Sequence, residues 1–201
     1  MKVHIVIKKN HLTLLLNGFF NHYYLIKKII TPFYLYNSMN KSINMFDDLI
    51  DKVKLGLKTQ TIRLIKLNSA NTIDFQTQFE ECLITKSDYN NFPLIQSVLN
   101  ESKYLKGDIL TIDNSKTVIK ILSVRISTML NVTAKELEKE GIKSQSYSKT
   151  TNRLIYFDYI TESYTLNTIS DSYKTLMEKC YGSTVFQNNP FVFIYEFKVV
   201  R

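Results

Sequence analysis

The sequence contains few of the residue types that bind metals or act as general bases. Its 201 residues include only three histidines, and all three fall within the first 22 positions: His4, His11 and His22. Beyond that segment, a histidine-dependent catalytic triad and a histidine metal site are excluded. The two cysteines, Cys82 and Cys180, lie far apart and form no CxxC zinc motif. The sequence therefore predicts neither a metal nor a cofactor.

Long apolar runs and disulfide-forming cysteines are also missing. No stretch approaches the roughly 18 consecutive apolar residues of a membrane-spanning helix. A single pair of cysteines cannot form the disulfide lattice of a small secreted domain. We therefore expect an intracellular, cytoplasmic protein without a transmembrane segment. Hydrophobic residues make up 44% of the chain and aromatic residues 12%, which is typical of a globular protein.

Acidic residues are absent from the first part of the chain, and this accounts for most of the net charge of +8. Residues 1–41 contain six lysines and no aspartate or glutamate, which gives +6. From residue 42 onward there are 20 basic and 18 acidic residues, and 20 − 18 leaves +2. A nucleic-acid site in the body of the protein must therefore be a local cluster of basic residues.

Residues 1–41 are predicted to be an N-terminal extension, and the sequence leaves its role open. The segment is rich in apolar and aromatic residues, but polar residues interrupt it. It is compatible with an added β or helical layer, with a true start at Met39 or Met45, or with a membrane or targeting segment. The remaining residues, 42–201, are enough for one domain.

An amphipathic helix is predicted in residues 44–56. Four apolar residues recur at i, i+3, i+4 and i+7 on one face: Phe46, Leu49, Ile50 and Val53. Asn44 is expected to cap the start of this helix, and Gly56 is expected to end it in a left-handed conformation. A cluster of basic, hydroxyl and amide residues, 58–63, follows directly.

Residues 59–63 are predicted to form a strand. Side chains alternate along a strand, so Thr59, Thr61 and Arg63 would share one face. Gln60 would lie on the other face. Lys58 would belong to the preceding turn, from which it can bend toward Thr61. Threonine-rich segments are usually plain strand formers, so this pattern alone does not indicate a functional site.

A second helix is predicted after residue 133. Thr133 and Glu136 have the spacing of a capping box, and Gly141 is expected to end the helix. Glu140 would lie in the last turn, where the helix dipole disfavours a negative charge. We therefore expect a raised pKa for Glu140, which suits a proton donor or a ligand-facing carboxyl.

The rest of the chain shows four further signals. Residues 104–126 are predicted to form a β-hairpin, and residues 92–102 a short helix. A helix is predicted in residues 171–182, with Cys180 on its apolar face and therefore in the core. Residues 191–197 are nearly all apolar, as expected for a strand that is buried on both faces.

The order of these pieces resembles the ASCH family of the PUA-like superfamily. G-x-K-x-x-T-x-R follows the first helix, Y-x-x-G-D precedes the hairpin, E-G ends the capped helix, and the last strand contains E-F-K. The resemblance covers roughly residues 42–63, 104–142 and 171–200. The matching residues are Gly56, Lys58, Thr61 and Arg63; Tyr104, Gly107 and Asp108; Glu140 and Gly141; and residues 193–199.

The resemblance implies an α+β fold with a PUA-like small β-barrel flanked by helices. Residues 42–201 would form a single ASCH domain, with residues 1–41 as its N-terminal extension. Compared with compact members of the family, the segments near 64–103 and 143–170 would be two insertions. Their purpose and the oligomeric state cannot be inferred from the sequence.

The resemblance further implies a cleft, lined by the K-x-x-T-x-R segment, that binds RNA, another nucleic acid or a nucleotide. The ligand-binding residues would be Arg63, Gln60 and Thr59. The expected partner is therefore RNA or a modified nucleoside.

One branch of the family removes the acetyl group from acetylated cytidine, and the likeness to it implies catalytic roles for Lys58, Thr61 and Glu140. Lys58 would take the proton of the Thr61 hydroxyl, which attacks the acetyl carbonyl, and Glu140 would protonate the leaving amine. The sequence leaves open whether the chain is such an amidohydrolase, acting on N-acylated nucleosides, or a binding protein. Ribonuclease activity ranks below both.

Overall fold

The computed structural model describes residues 4–8, 11–15, 41–67, 72–147 and 153–200. The chain divides into two units, Met1–Asn40 and Lys41–Arg201. In the first unit, strand β1 (His4–Lys8) pairs with strand β2 (His11–Leu15) as an antiparallel hairpin. The rest of the predicted N-terminal extension up to Asn40 lies outside the described residues.

The second unit contains both helices and strands, which confirms the predicted α+β class. Its strands are β3 (Ser42–Ile43), β4 (Gln60–Leu64), β5 (Ile109–Ile112), β6 (Val118–Thr128), β7 (Ser144–Ser146), β8 (Leu154–Asp158), β9 (Ser163–Leu166) and β10 (Phe191–Val199). Its α-helices are α1 (Asp47–Lys54), α2 (Thr72–Thr85), α3 (Pro93–Asn100), α4 (Ala134–Lys139) and α5 (Ile169–Tyr181). Among the residues described, no helix is both long and apolar enough to cross a membrane.

Five strands form the central sheet, in the order β3–β5–β6–β10–β4. Strands β3 and β5 are parallel, and the other neighbours are antiparallel. Strand β10 lies between β6 and β4, and its central residues, 192–195, are buried, which confirms the prediction of a strand buried on both faces. The described strands leave the sheet open between β3 and β4, so the PUA-like barrel stays a prediction.

The two faces of this sheet cover separate apolar cores. Side chains alternate along β10, so Phe193 and Tyr195 lie in one core and Val192 and Ile194 lie in the other. Helices α1, α2 and α3 pack on the first core, and α4 and α5 on the second. The sheet is therefore the middle of three layers, and β4 forms one of its outer edges.

The first predicted helix is present as α1 but begins later than predicted. Its N-cap residue is Phe46, in an extended conformation, so the prediction of a cap at Asn44 is wrong. The carbonyl of Asn44 instead accepts a hydrogen bond from the Arg63 guanidinium. Gly56 has a φ of +72°, the left-handed conformation expected after this helix.

The predicted hairpin, short helix and capping box are all confirmed. Strand β5 pairs antiparallel with β6, and α3 occupies the position of the short helix. At the start of α4, the amide and the hydroxyl of Thr133 donate to the Glu136 carboxylate at 2.8 and 3.0 Å. Gly141 then ends the helix with a φ of +79°.

The two segments predicted as insertions contain regular structure. Helix α2 was not predicted, although Phe75, Phe79 and Cys82 are spaced by four and three residues and are buried against the sheet. Strands β7, β8 and β9 form a separate antiparallel sheet. Their status as insertions stays a prediction.

Candidate functional site

The turn between α1 and β4 buries the side chain of Lys58, which is 1% exposed. Gly56 lets the chain reverse, and the amides of Leu57 and Lys58 both donate to the carbonyl of Lys52. This closes the turn against the end of α1. As predicted, Lys58 precedes the strand rather than forming part of it.

The ammonium group of Lys58 is held by three polar contacts. Its Nζ donates to the carbonyl oxygens of Gln60 and Glu140, at 2.9 and 2.5 Å, and forms an ion pair with Glu140 Oε1 at 2.8 Å. An ammonium has three N–H donors and no lone pair, so in this state Lys58 cannot accept a proton from the Thr61 hydroxyl.

The carboxyl group of Glu140 is buried but only half paired. The residue lies just after α4, is 5% exposed, and meets Lys58 through Oε1. Its second oxygen, Oε2, has no hydrogen bond of normal distance and angle in the part of the chain that the structure describes. Burial raises the pKa of Glu140, while Lys58, Arg63 and the nearby backbone amide of Ile62 oppose that rise. The direction agrees with the prediction, but burial rather than the helix dipole is the main cause.

Burial also acts on Lys58, so the two groups form one coupled pair. Burial lowers the pKa of Lys58, and attraction to Glu140 opposes that change. Moving a proton from Lys58 to Glu140 changes the charges but leaves the number of protons on the pair unchanged. The pair therefore holds one proton across the neutral range in either arrangement.

A small cavity beside this pair brings together four of the six predicted site residues: Lys58, Thr61, Arg63 and Glu140. Its volume is about 20 Å³. That is enough for about one water molecule and far too small for a nucleobase. Only the tip of a ligand can reach the Lys58–Glu140 pair.

The other two predicted site residues do not line this cavity. Gln60 is 0% exposed, and its Nε2 donates to the carbonyl of Glu136 at 3.3 Å. The Thr59 amide donates a hydrogen bond to the carbonyl of Lys139, and the Thr59 carbonyl accepts one from the amide of Phe197. No contact with the cavity supports the predicted ligand-binding roles of Gln60 and Thr59.

A larger cavity of about 740 Å³ adjoins the small one. The side chains of Phe46 and Tyr181 are 40% and 37% exposed, so part of each ring is accessible. The two cavities share five lining residues, which we call the junction: Met45, Phe46, Arg63, Cys180 and Tyr181.

Cys180 lies at this junction and not in the core, so that prediction is wrong. The buried residues of α5 include Leu176 and Met177, one turn before Cys180. Helical spacing placed Cys180 on the correct face but did not reveal that α5 extends past the core. The position is exposed, although partial burial still raises the pKa of its thiol. The position of Tyr181 at the junction was also not predicted, because an aromatic residue at a helix end gives no specific signal.

Comparison with known proteins gives similar structures only. No family model and no curated protein matches the chain. An ASCH domain from Lactobacillus crispatus is 12% identical, with 86% of this chain and 92% of that chain covered and a TM-score of 0.41. A protein from Enterococcus faecalis is 14% identical, with 87% and 92% covered and a TM-score of 0.40.

A third similar structure is a protein from Pyrococcus furiosus. It is 13% identical, 80% of this chain and 97% of that chain are covered, and the TM-score is 0.36. The ASCH family, which the sequence motifs predict, is thus represented among the similar structures.

Proposed function

We propose that residues 42–201 form an ASCH-type, PUA-like domain that binds single-stranded RNA or a nucleotide at the junction. The supporting observation is that Arg63 shares this region with the accessible rings of Phe46 and Tyr181. A guanidinium group suits a phosphate or a base edge. Aromatic rings stack on unpaired bases, which is the usual way in which proteins hold single-stranded RNA.

The state of Lys58 favours binding over catalysis. A lysine that activates a hydroxyl nucleophile needs a free lone pair directed at that hydroxyl. The Nζ of Lys58 instead donates to the carbonyl oxygens of Gln60 and Glu140 and is paired with the Glu140 carboxylate. The buried pair thus supports the wall of the cleft, and Arg63 next to it is the group that can meet the ligand.

The charge distribution limits the size of the expected RNA contact. Residues 42–201 carry only +2, which does not suit a long polyanion. For single strands, the logarithm of the affinity falls with the logarithm of the salt concentration with a slope of about −0.7 for each neutralised phosphate. We expect a slope of about −1, equivalent to one or two phosphates.

Replacement of Arg63 by alanine is expected to weaken RNA binding by about 10- to 100-fold. This corresponds to the roughly 1.5–3 kcal/mol of a hydrogen bond to a charged group. Fluorescence anisotropy of a labelled oligouridylate at low salt measures the change. Arg153→Ala is the matched control, because Arg153 is exposed, bonds to Asn167 and lines neither cavity. Equal losses in both variants, or no binding by the unmodified protein, would remove the proposal.

A second candidate function is removal of the acetyl group from acetylated cytidine. One observation favours it: Oε2 of Glu140 has no partner among the described residues, and burial raises the pKa of this carboxyl beside Thr61. A protonated Glu140 suits a donor to a leaving amine. This function requires Lys58 to pass its ammonium proton to Glu140, which becomes the donor, and to direct the resulting lone pair at the Thr61 hydroxyl.

The assay for this second function is incubation of the protein with acetylcytidine. The second function is established, in place of simple binding, if the unmodified protein releases cytidine and neither Thr61→Val nor Glu140→Gln does. The binding proposal predicts that no cytidine is released, and that RNA stays intact when it is bound.

A further inference from the structure

The inner part of the larger cavity is apolar and lies between the central sheet and the α2–α3 segment. Phe75 from α2 and Leu94 and Val98 from α3 contribute to one wall, and Phe193 and Tyr195 from β10 contribute to the other. The larger cavity as a whole, with the junction included, has a volume of about 740 Å³, within the range of small-molecule sites, roughly 300–1,000 Å³. We call its inner, apolar part the roofed chamber.

Both buried phenols of the roofed chamber are already hydrogen-bonded. The Tyr104 hydroxyl donates to the carbonyl of Ser42 at 2.8 Å, and the Tyr195 hydroxyl lies 2.7 Å from Ser102 Oγ. A nucleobase that entered the chamber would find the Tyr104 O–H already donated and few other donors among the apolar side chains for its carbonyl and ring-nitrogen acceptors, and burying unpaired polar groups is costly. An aliphatic chain has no such cost and gains from leaving water.

The rim of the chamber is cationic. Arg63, Lys66 and Lys103 line it, against the single carboxylate of Glu101 among the described lining residues. Lys66, Lys103 and Glu101 are exposed, whereas the aromatic and aliphatic side chains deeper in the chamber are mostly buried. Three cations against one anion leave +2 beside an apolar interior. Such a rim favours an anionic head group, and a guanidinium suits a carboxylate in particular.

We propose that the roofed chamber binds an amphipathic carboxylate, with an aliphatic chain inside and the carboxylate at the cationic rim. This site goes beyond the proposed RNA function and is built largely from the segment 64–103. Because Arg63 lies at both sites, the two ligands compete for its guanidinium.

The first test is calorimetric titration of the full chain with octanoate, decanoate and dodecanoate, each below its micelle concentration. Burial of one methylene group is worth about 0.8 kcal/mol, which converts to a roughly fourfold gain in affinity. Each step of two methylene groups should therefore tighten binding by about 15-fold. Decanol, which has the chain but no charge, should bind at least about tenfold more weakly than decanoate. Affinities independent of chain length, or equal for decanol and decanoate, would overturn the proposal.

The second test places a large side chain in the chamber. Ser97 is an exposed residue of α3 that lines the chamber, so Ser97→Trp should fold and obstruct the site. Asn100→Trp is the matched control, since Asn100 is exposed on the same helix and does not line the chamber. We expect at least a tenfold loss of decanoate affinity in Ser97→Trp only. Equal affinities in both variants would place the fatty acid elsewhere and refute the site.

The third test separates the chamber from the RNA site. Lys103→Gln should weaken decanoate binding, whereas Lys106→Gln, an exposed lysine outside the chamber, should not. Retained RNA affinity in Ser97→Trp, together with lost decanoate binding, supports two overlapping sites. Absence of decanoate binding in the unmodified protein refutes the chamber proposal. This holds also if the cause is self-association of the protein through this face. RNA binding in the same sample would leave the proposed function intact.

Discussion

Replacement of Lys58 by methionine is expected to lower the free energy of unfolding by about 3–5 kcal/mol at neutral pH. The side chains of Lys58 and Glu140 are 1% and 7% exposed, so water cannot take the place of the lost ammonium. The substitution leaves a buried carboxylate without a cation and two carbonyl oxygens without their donor. Urea-induced unfolding measures the change.

The loss should depend on pH in a defined direction. In the unmodified protein the pair keeps one proton, as the two separate groups do in the unfolded chain between their ordinary pKa values of 4.5 and 10.5. Its contribution is therefore flat across neutral pH. In Lys58→Met, burial still raises the pKa of Glu140, and only Arg63 and the backbone amide of Ile62 are left to oppose that rise. The folded state then retains a proton that the unfolded state releases, so stability falls as the pH rises above about 4.5 through the folded pKa.

Two further variants make this prediction specific. Lys54→Met removes an exposed lysine that pairs with Asp51, and it should cost at most about 1 kcal/mol. Adding Glu140→Leu to Lys58→Met removes the unpaired carboxylate, so much of the lost stability should return and the pH dependence should disappear. A Lys58→Met protein that is as stable as the unmodified one at neutral pH would show that the pair is not buried as described.

Replacement of Gly141 by alanine is expected to cost about 2–5 kcal/mol. Gly141 has a φ of +79°, and any other residue in this left-handed conformation lowers the free energy of unfolding by about 1–2 kcal/mol. The added Cβ would also lie 2.9 Å from Cβ and 3.3 Å from Cγ of Lys58. These atoms are near the backbone and cannot move freely, so overpacking adds about 1–3 kcal/mol.

Gly56→Ala is the matched control for this substitution. Gly56 has a similar φ of +72°, but an added Cβ would meet nothing within 4 Å. Its cost should therefore be the conformational part alone, about 1–2 kcal/mol. The difference between the two variants, read from parallel urea titrations, measures the close approach of the α4 terminus to Lys58. Equal costs would contradict that approach.

The parts of the fold that local chemistry determines could be predicted from the sequence. The helix stop at Gly56, the capping box at Thr133 and the apolar final strand each depend on residues close together in the chain. The resemblance to the ASCH family also implied that Lys58 and Glu140, 82 residues apart, are brought together. Their pairing follows from the resemblance and not from any local signal.

The features that depend on packing could not be predicted. Helix α2 has only a weak apolar stripe, because three large apolar residues, Ile73, Leu83 and Ile84, also lie among the polar residues of its exposed face. The hydrogen bonds of Lys58 depend on the positions of the Gln60 and Glu140 carbonyl oxygens, which no sequence pattern specifies. The junction likewise forms only where the end of α5 meets Arg63.

The most direct test of the proposed RNA site is a nuclear magnetic resonance titration of the ¹⁵N-labelled protein with a short oligouridylate at low salt. The proposal predicts saturable shifts of the backbone amides at Phe46, Arg63 and Tyr181, with the RNA intact at the end. The same shifts should be lost in Arg63→Ala. If these three amides do not shift, whether no residue responds or only residues on another surface respond, binding at the junction is contradicted.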